Sequence, residues 1–256
     1  MEEAKPTHLE IFREHEELCG FFTFKEAAVN GSPFNNPQFF EKLDIADTVK
    51  VWPKQVHGTD IAVIGAEDIN VGSSDGENQS DKVKHIVIPD TDGAVTNVTG
   101  VLLTTVHADC LPVYFYDREH RAIGLVHAGW RGTCGGIAPQ CVKRMAEEYG
   151  ADPSEIQVFI GPGIGKCCFE VGHEVYDEFK EKWSFADDFS LKKDDKFFMD
   201  LKGINKRELI EAGVKPENIG VSDHCTFHEP ELFCSYRREG GTYMRMGAGL
   251  VIKDKH

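Results

Sequence analysis

Apolar residues recur along the chain mostly in short runs bounded by turn residues, and in three places at helical spacing. The short runs predict strands at Gly20–Phe24, Val49–Trp52, Ile61–Ile64, Val101–Val106, Val113–Tyr116, Ala122–His127, Ile156–Ile160, Ile219–Ser222 and Leu250–Ile252. Helices are predicted at Thr133–Tyr149, Glu174–Lys182 and Leu201–Ala212. In the first, Ile137, Cys141, Met145 and Ala146 fall close to a 3.6-residue period, and Gly150 stops it. Gly213, with Pro216 beyond it, ends the last. The strands Val113–Tyr116 and Ala122–His127 flank a tight turn at Asp117–His120, whereas other strands lead into helices. That mixture predicts an α+β fold with mixed β-sheets flanked by helices rather than a doubly wound parallel sheet.

Nothing in the 256 residues resembles a long linker or an internal repeat, so one domain over 1–256 is expected. The polar, turn-rich stretch Gly72–Asp81 reads as an exposed loop. Asp and Glu number 43 against 28 Lys and Arg, a formal charge of −15. That balance repels phosphate backbones and anionic lipid, which argues against nucleic acid and membrane partners. Met1–Glu17 is charged and lacks the apolar run of a signal peptide, and no stretch has the length of a membrane span; a cytoplasmic location is expected. There the eight cysteines are read as reduced thiols, free to pack or to bind metal.

Chemistry-bearing residues concentrate between His107 and Gly136. Cys110 follows one predicted strand, His127 ends another, and His57 sits in a short connection after Pro53. One thiolate and two imidazoles are the donors of an open catalytic zinc site, which keeps a fourth position for water. Their spacing is scattered, without a CxxC pair or an HExxH helix, so ordinary buried or surface side chains stay open as an alternative. Gly129, Gly132, Gly135 and Gly136 surround a helix start where free N–H groups favour an anion, and Arg131 stands in the same turn. A second glycine run, Gly161–Lys166, also lies between a strand and a helix, and Arg237 and Arg238 offer guanidinium groups for phosphate. Tight turns and solvated arginines are the plainer reading of each glycine run alone. The adjacent Cys167 and Cys168 diverge on regular structure and are read as packing residues, with His224 and His228 as surface histidines.

Taken together, QVHG (Gln55–Gly58), DGAVTN (Asp92–Asn97), ADCLP (Ala108–Pro112), HAGWRG (His127–Gly132), GPGIG (Gly161–Gly165), CCFEVG (Cys167–Gly172) and SYRR (Ser235–Arg238) resemble the YfiH-type family. Its members were long described as laccase-domain or polyphenol oxidase proteins and are now regarded as purine nucleoside phosphorylases. The resemblance runs from about Cys19 to Ile252 in the family's order. It implies a single α+β domain, similar to bacterial toxins once classed as cysteine hydrolases, with His57, Cys110 and His127 as ligands of zinc, or of copper in its place. It further implies phosphorolysis of adenosine, inosine and methylthioadenosine, together with adenosine deamination; a monomer or homodimer is expected, and the sequence does not fix which. The chain departs from the family where an Arg and a Gly-Gly-Val-Ser-like run give way to Phe24–Gly31, where Gly-Arg-Met becomes Met244-Arg245-Met246, and where His107 precedes Ala108.

For that chemistry Arg131, Arg237 and Arg238 are the candidates to hold phosphate, with Gly129 beside them, and Asp109 and Glu170 are candidate proton carriers. Asp109 serves equally well as a residue that orients a ligand. Two other readings stay open: a copper-dependent polyphenol oxidase, disfavoured because the 11 histidines include no His-x-His pair, and a metal-free cysteine hydrolase with Cys110 as nucleophile and His127 as base.

Overall fold

The computed structural model describes residues 6–71 and 85–254, so the loop expected at Gly72–Asp81 lies outside the described residues. In chain order the strands are β1 (His8–Ile11), β2 (Leu18–Thr23), β3 (Val49–Pro53), β4 (Ile61–Ile64), β5 (His85–Ile88), β6 (Gly93–Thr96), β7 (Val101–His107), β8 (Leu111–Asp117), β9 (Ala122–Ala128), β10 (Gln157–Ile160), β11 (Glu170–Val171), β12 (Ser190–Lys193), β13 (Lys196–Met199), β14 (Ile219–Val221) and β15 (Met246–Ile252). The helices are α1 (Pro37–Lys42), α2 (Ala66–Val71), α3 (Trp130–Cys134), α4 (Ile137–Tyr149), α5 (His173–Lys182) and α6 (Leu201–Glu211).

The strands form two six-stranded sheets, ordered β1-β2-β15-β7-β3-β5 and β14-β10-β8-β9-β6-β4, with a small third sheet, β11-β13-β12. Both large sheets are mixed: β3 pairs in parallel with β5 and β7, and β4 with β6, while β7–β15 and β8–β9 are antiparallel. The mixed-sheet expectation therefore holds. Alternation along the strands explains the layering. From the first sheet Phe22, Leu103 and Leu250 meet Tyr114, Ile123 and Leu125 of the second in one core. The intervening Phe21, Leu102 and Val251 face the other way, against Phe39 and Phe40 of α1. On the far side of the second sheet, Val113, Phe115 and Val126 pack against Ile137, Cys141 and Met145 of α4 and Ile204 of α6. Tyr114, fully buried between the sheets, keeps its hydroxyl satisfied by donating to the Phe21 carbonyl at 2.8 Å.

The helix expected over Thr133–Tyr149 is two. Gly136, at φ +77°, breaks the helical path between α3 and α4, and only a glycine takes that conformation at little cost. No helix among the described residues is long and apolar enough to cross a membrane.

The feature that builds the site is a repeated crossing from the first sheet to the second. The connections β3–β4, β5–β6 and β7–β8 all leave one sheet and enter the other at the same end of the sandwich. They carry His57, Asp92 and Cys110 respectively.

Candidate metal centre

The register of the β8–β9 hairpin pairs Leu111 with Ala128 and Pro112 with His127, which brings Cys110 beside the end of β9. The β3–β4 crossing closes over the same point, and the ligating atoms of His57, Cys110 and His127 lie within 4.8 Å of one another. The rings of His57 and His127 meet edge to face at 4.9 Å between centroids. Sequence reasoning thus named three residues, far apart in the chain, that the fold brings together.

Asp92, which sequence reasoning placed in a motif but gave no role, organises this cluster. Its carboxylate is wholly buried and accepts from the backbone N–H of Val56 (3.1 Å), His57 (3.0 Å) and Gly58 (2.7 Å) and from Nδ1 of His127 (2.9 Å). Its own carbonyl accepts from the His127 N–H at 2.7 Å. Burial works to raise its pKa, but the donors around it outweigh burial and hold it below the usual carboxylate range. With Nδ1 engaged, His127 turns Nε2 towards Cys110.

Burial likewise opposes the charged forms of Cys110 and His127. Their mutual attraction prevails, helped by a hydrogen bond from His57 to the sulfur and by Asp92 behind His127. The Cys110 thiol is held at about 6 and His127 is pushed up to about 9. A thiolate is therefore ready without strong base, which suits both a metal ligand and a nucleophile.

The donor set fits a metal ion, and the backbone leaves space for one. A Cβ at Gly129 would stand 3.0 Å from Cδ2 of His57 and 3.1 Å from Sγ of Cys110. The glycine keeps side-chain bulk away from the cluster rather than meeting a demand of its backbone, whose φ is −72°. One member of the cluster, His57 at φ +63°, and one neighbour, Asp109 at φ +85°, do hold left-handed conformations. Each is held by its surroundings: Asp92 grips the His57 loop, and the Asp109 carboxylate accepts from Thr226 Oγ1 (2.6 Å), Ser235 Oγ (3.0 Å) and the Arg237 N–H (2.8 Å).

The cluster lies in the wall of a cavity of about 920 Å³. Trp130, Phe169 and Tyr236 give it aromatic surface, and Lys54, Arg131, Arg237 and Arg245 give it positive charge. The Arg131 guanidinium lies over the Trp130 ring at 4.2 Å, and that of Arg237 over Phe169 at 5.6 Å while donating to the Glu170 carbonyl. Two sequence candidates lie elsewhere. Arg238 is outside the cavity lining, its guanidinium donating to the carbonyls of Thr226, Phe227 and Phe233 and to Glu239. Glu170 is exposed on β11 and also outside the lining. His107 is buried, bonded to Thr105 Oγ1 (2.7 Å) and the Cys110 carbonyl (3.0 Å), and burial holds its pKa well below the ordinary value. It supports the turn at Cys110 as a neutral hydrogen-bonded group.

The second glycine run has a packing role. A Cβ at Gly161 would meet Pro112 at 2.7 Å, and one at Gly163 would run into Leu111; the run passes into a turn and β11 rather than directly into a helix. Close approach to β8 requires these glycines.

A thiolate–imidazole cluster whose donors could hold an ion, at a sheet-crossing end and open to a cationic and aromatic cavity, has the make-up of a small-molecule enzyme site. The chain belongs to the YfiH-type family: residues 27–253 match the family model described as multi-copper polyphenol oxidoreductase laccase. It is 38% identical, over 79% of its length and 72% of the relative's, to the purine nucleoside phosphorylase YlmD of Geobacillus stearothermophilus. It is 34% identical, over 82% and 77%, to the adenosine deaminase RL5 from an unknown prokaryotic organism. The crystal structure of YlmD from Geobacillus stearothermophilus superposes with a TM-score of 0.84 at 30% identity, covering 99% of this chain and 98% of that one. The relatives' names support a purine nucleoside enzyme.

Proposed function

We propose that this chain is a zinc-dependent purine nucleoside phosphorylase, acting on adenosine, inosine or methylthioadenosine, with adenosine deamination as a second activity. The observation that carries the reading is His57, Cys110 and His127 set in the wall of a cavity lined by aromatic rings and guanidinium groups. Bound zinc would supply Lewis acidity at an open position beside the substrate. The chain's own residues do the rest. Trp130, Phe169 and Tyr236 offer faces for the purine and ribose, and Arg131 and Arg237 hold phosphate and offset charge as the glycosidic bond breaks. Gly129 leaves the ligands unobstructed.

Phosphorolysis ranks ahead of deamination on the same geometry. Asp109 is the carboxylate among the cavity-lining residues, and both its oxygens already accept hydrogen bonds. It suits a positioning role better than proton transfer. The Cys110–His127–Asp92 arrangement also fits a metal-free cysteine hydrolase, since base and orienting carboxylate stand in line behind a thiolate. Copper oxidation fits less well, with two imidazoles at this cluster.

The test is purified protein with its metal quantified, incubated with adenosine with and without phosphate, beside Cys110→Ala. Phosphate-dependent release of adenine, lost together with zinc in the variant, is expected. Turnover that survives chelation, or the absence of adenine, would overturn the reading; chelator-insensitive hydrolysis abolished by thiol alkylation would establish the cysteine hydrolase instead.

A further inference from the structure

A second group of soft donors lies outside the cavity lining. Cys167, Cys168, Cys225 and His228 come from two separate turns, and their donor atoms lie within 4.8 Å of one another. Adjacent cysteines diverge on a strand, so sequence reasoning set this pair aside. Here they sit in a tight turn, closed by the N–H groups of Cys168 (2.9 Å) and Phe169 (3.0 Å) donating to the Gly165 carbonyl. A second turn, with the His228 N–H on the Cys225 carbonyl at 3.0 Å, presents the other two donors on one side.

The separations discriminate between chemistries. The Cys167 sulfur is 3.5 Å from that of Cys168 and 3.8 Å from that of Cys225. His228 reaches the two sulfurs with different nitrogens, Nδ1 3.4 Å from Cys167 and Nε2 3.2 Å from Cys168, so one of them would ligate, with the ring turning to bring it towards the other sulfurs. Tetrahedral zinc, with bonds of about 2.3 Å to sulfur and 2.0 Å to nitrogen, sets its ligands about 3.8 Å (S–S) and 3.5 Å (S–N) apart. A disulfide needs about 2.0 Å. The surroundings are also those of a thiolate site. The Gly165 N–H donates to the Cys225 sulfur at 3.3 Å, and a Cβ at Gly165 would crowd the sulfurs of Cys167 (3.2 Å) and Cys225 (3.4 Å). Cys225 is buried, while Cys167 and His228 are exposed, which leaves the ion a route of entry.

We propose that Cys167, Cys168, Cys225 and His228 form a second, closed Cys3His zinc site that fastens the 165–168 turn to the 225–228 turn. Four protein ligands leave no position for substrate, so its role is structural. It bears on the first site through two neighbours: Thr226, whose hydroxyl donates to Asp109, next to Cys110, and Phe169, in the cavity wall.

The test counts metal. Protein expressed with zinc and desalted should hold two equivalents per chain, Cys110→Ala should keep one, and Cys167→Ser or His228→Ala should each lose one. His228 is exposed, which makes its variant the milder probe of folding. In the Cys110→Ala background, titration with cobalt should give intense thiolate-to-cobalt charge transfer with tetrahedral ligand-field bands, and Cys167→Ser should abolish them. Cys110→Ala protein that binds neither zinc nor cobalt would overturn the proposal. So would a native disulfide among Cys167, Cys168 and Cys225, read by mass after alkylation. Loss of the first zinc in Cys110→Ala with retention of the second separates this proposal from the catalytic reading.

Discussion

Replacing Asp92 by asparagine tests how the ligands are positioned. Oδ1 accepts from the His57 N–H and His127 Nδ1, and Oδ2 from the N–H groups of Val56 and Gly58. Asparagine keeps the shape but exchanges one acceptor for an NH2 donor. With its NH2 in place of Oδ2, two backbone donors lose their acceptor; with it in place of Oδ1, the His57 N–H loses its acceptor and His127 must shift its proton to Nε2 to accept. A buried donor left without an acceptor costs about 1–3 kcal/mol, so the variant should lose about 1–6 kcal/mol of stability. The same change loosens the His57 loop or the His127 ring. Partners of this kind contribute about 10–100-fold to metal affinity, equivalent to about 1.4–2.7 kcal/mol. Calorimetric melts of metal-free protein read the first quantity, and zinc competition against a chromophoric chelator reads the second. Wild-type affinity in Asp92→Asn, whatever its melting temperature, would refute the claim that this carboxylate sets the ligand geometry.

Other expectations can be checked alongside. Gly129→Ala introduces a Cβ 3.0–3.1 Å from His57 and Cys110 at an ordinary φ of −72°, so zinc content should fall with little change in the melt of the metal-free protein; full zinc occupancy would count against the spacing argument. Glu208 on α6 is 1% exposed, neither of its carboxylate oxygens has a hydrogen-bond partner among the described residues, and burial pushes its pKa from 4.5 up to about 9. The folded chain thus holds a proton that the unfolded chain releases, so this stability is full below pH 4.5 and is lost as pH rises towards about 9. Glu208→Gln should flatten that slope and gain roughly 3 kcal/mol at pH 7, at about 1.4 kcal/mol per pH unit; parallel wild-type and variant profiles from pH 5 to pH 9 would show the argument wrong.

Strands made of continuous apolar runs were legible from those runs alone: the buried Val101–Val106 grows by one residue, and Ile61–Ile64 appears as expected although only Ile64 in it is buried. The sheet β11-β13-β12 was not legible, since Ser190–Lys193 is largely exposed and carries lysines rather than an apolar face. At the site, His57, Cys110 and His127 could be named through a resemblance but not joined, because only the crossings between sheets set their distances. Asp92 left no local signal: three of its partners are backbone N–H groups more than thirty residues away. An Asp-Gly opening a short apolar strand, as at Asp92–Gly93, was the trace available. The cysteine cluster was misread for a definite reason. Periodicity assigns adjacent side chains to opposite faces, and the Gly165 turn suspends that rule.

The arrangement of charge bears on what the cavity can take. The chain as a whole carries −15, a field that opposes the approach of phosphate. Around the cavity the balance reverses. Lys54, Arg131, Arg237 and Arg245 line it, and the carboxylate of Asp109 is turned to Thr226, Ser235 and the Arg237 backbone. Asp92, the other acid close to the ligands, is sealed beneath the His57 loop. Both acids are placed where they position ligands without offering free charge to the opening. An anion therefore meets a locally cationic pocket within an acidic molecule, and arginines resting on Trp130 and Phe169 face it with their guanidinium planes preset. A hydrolase of a neutral substrate would gain nothing from this reversal, whereas a site that holds phosphate against a nucleoside, as proposed, would depend on it.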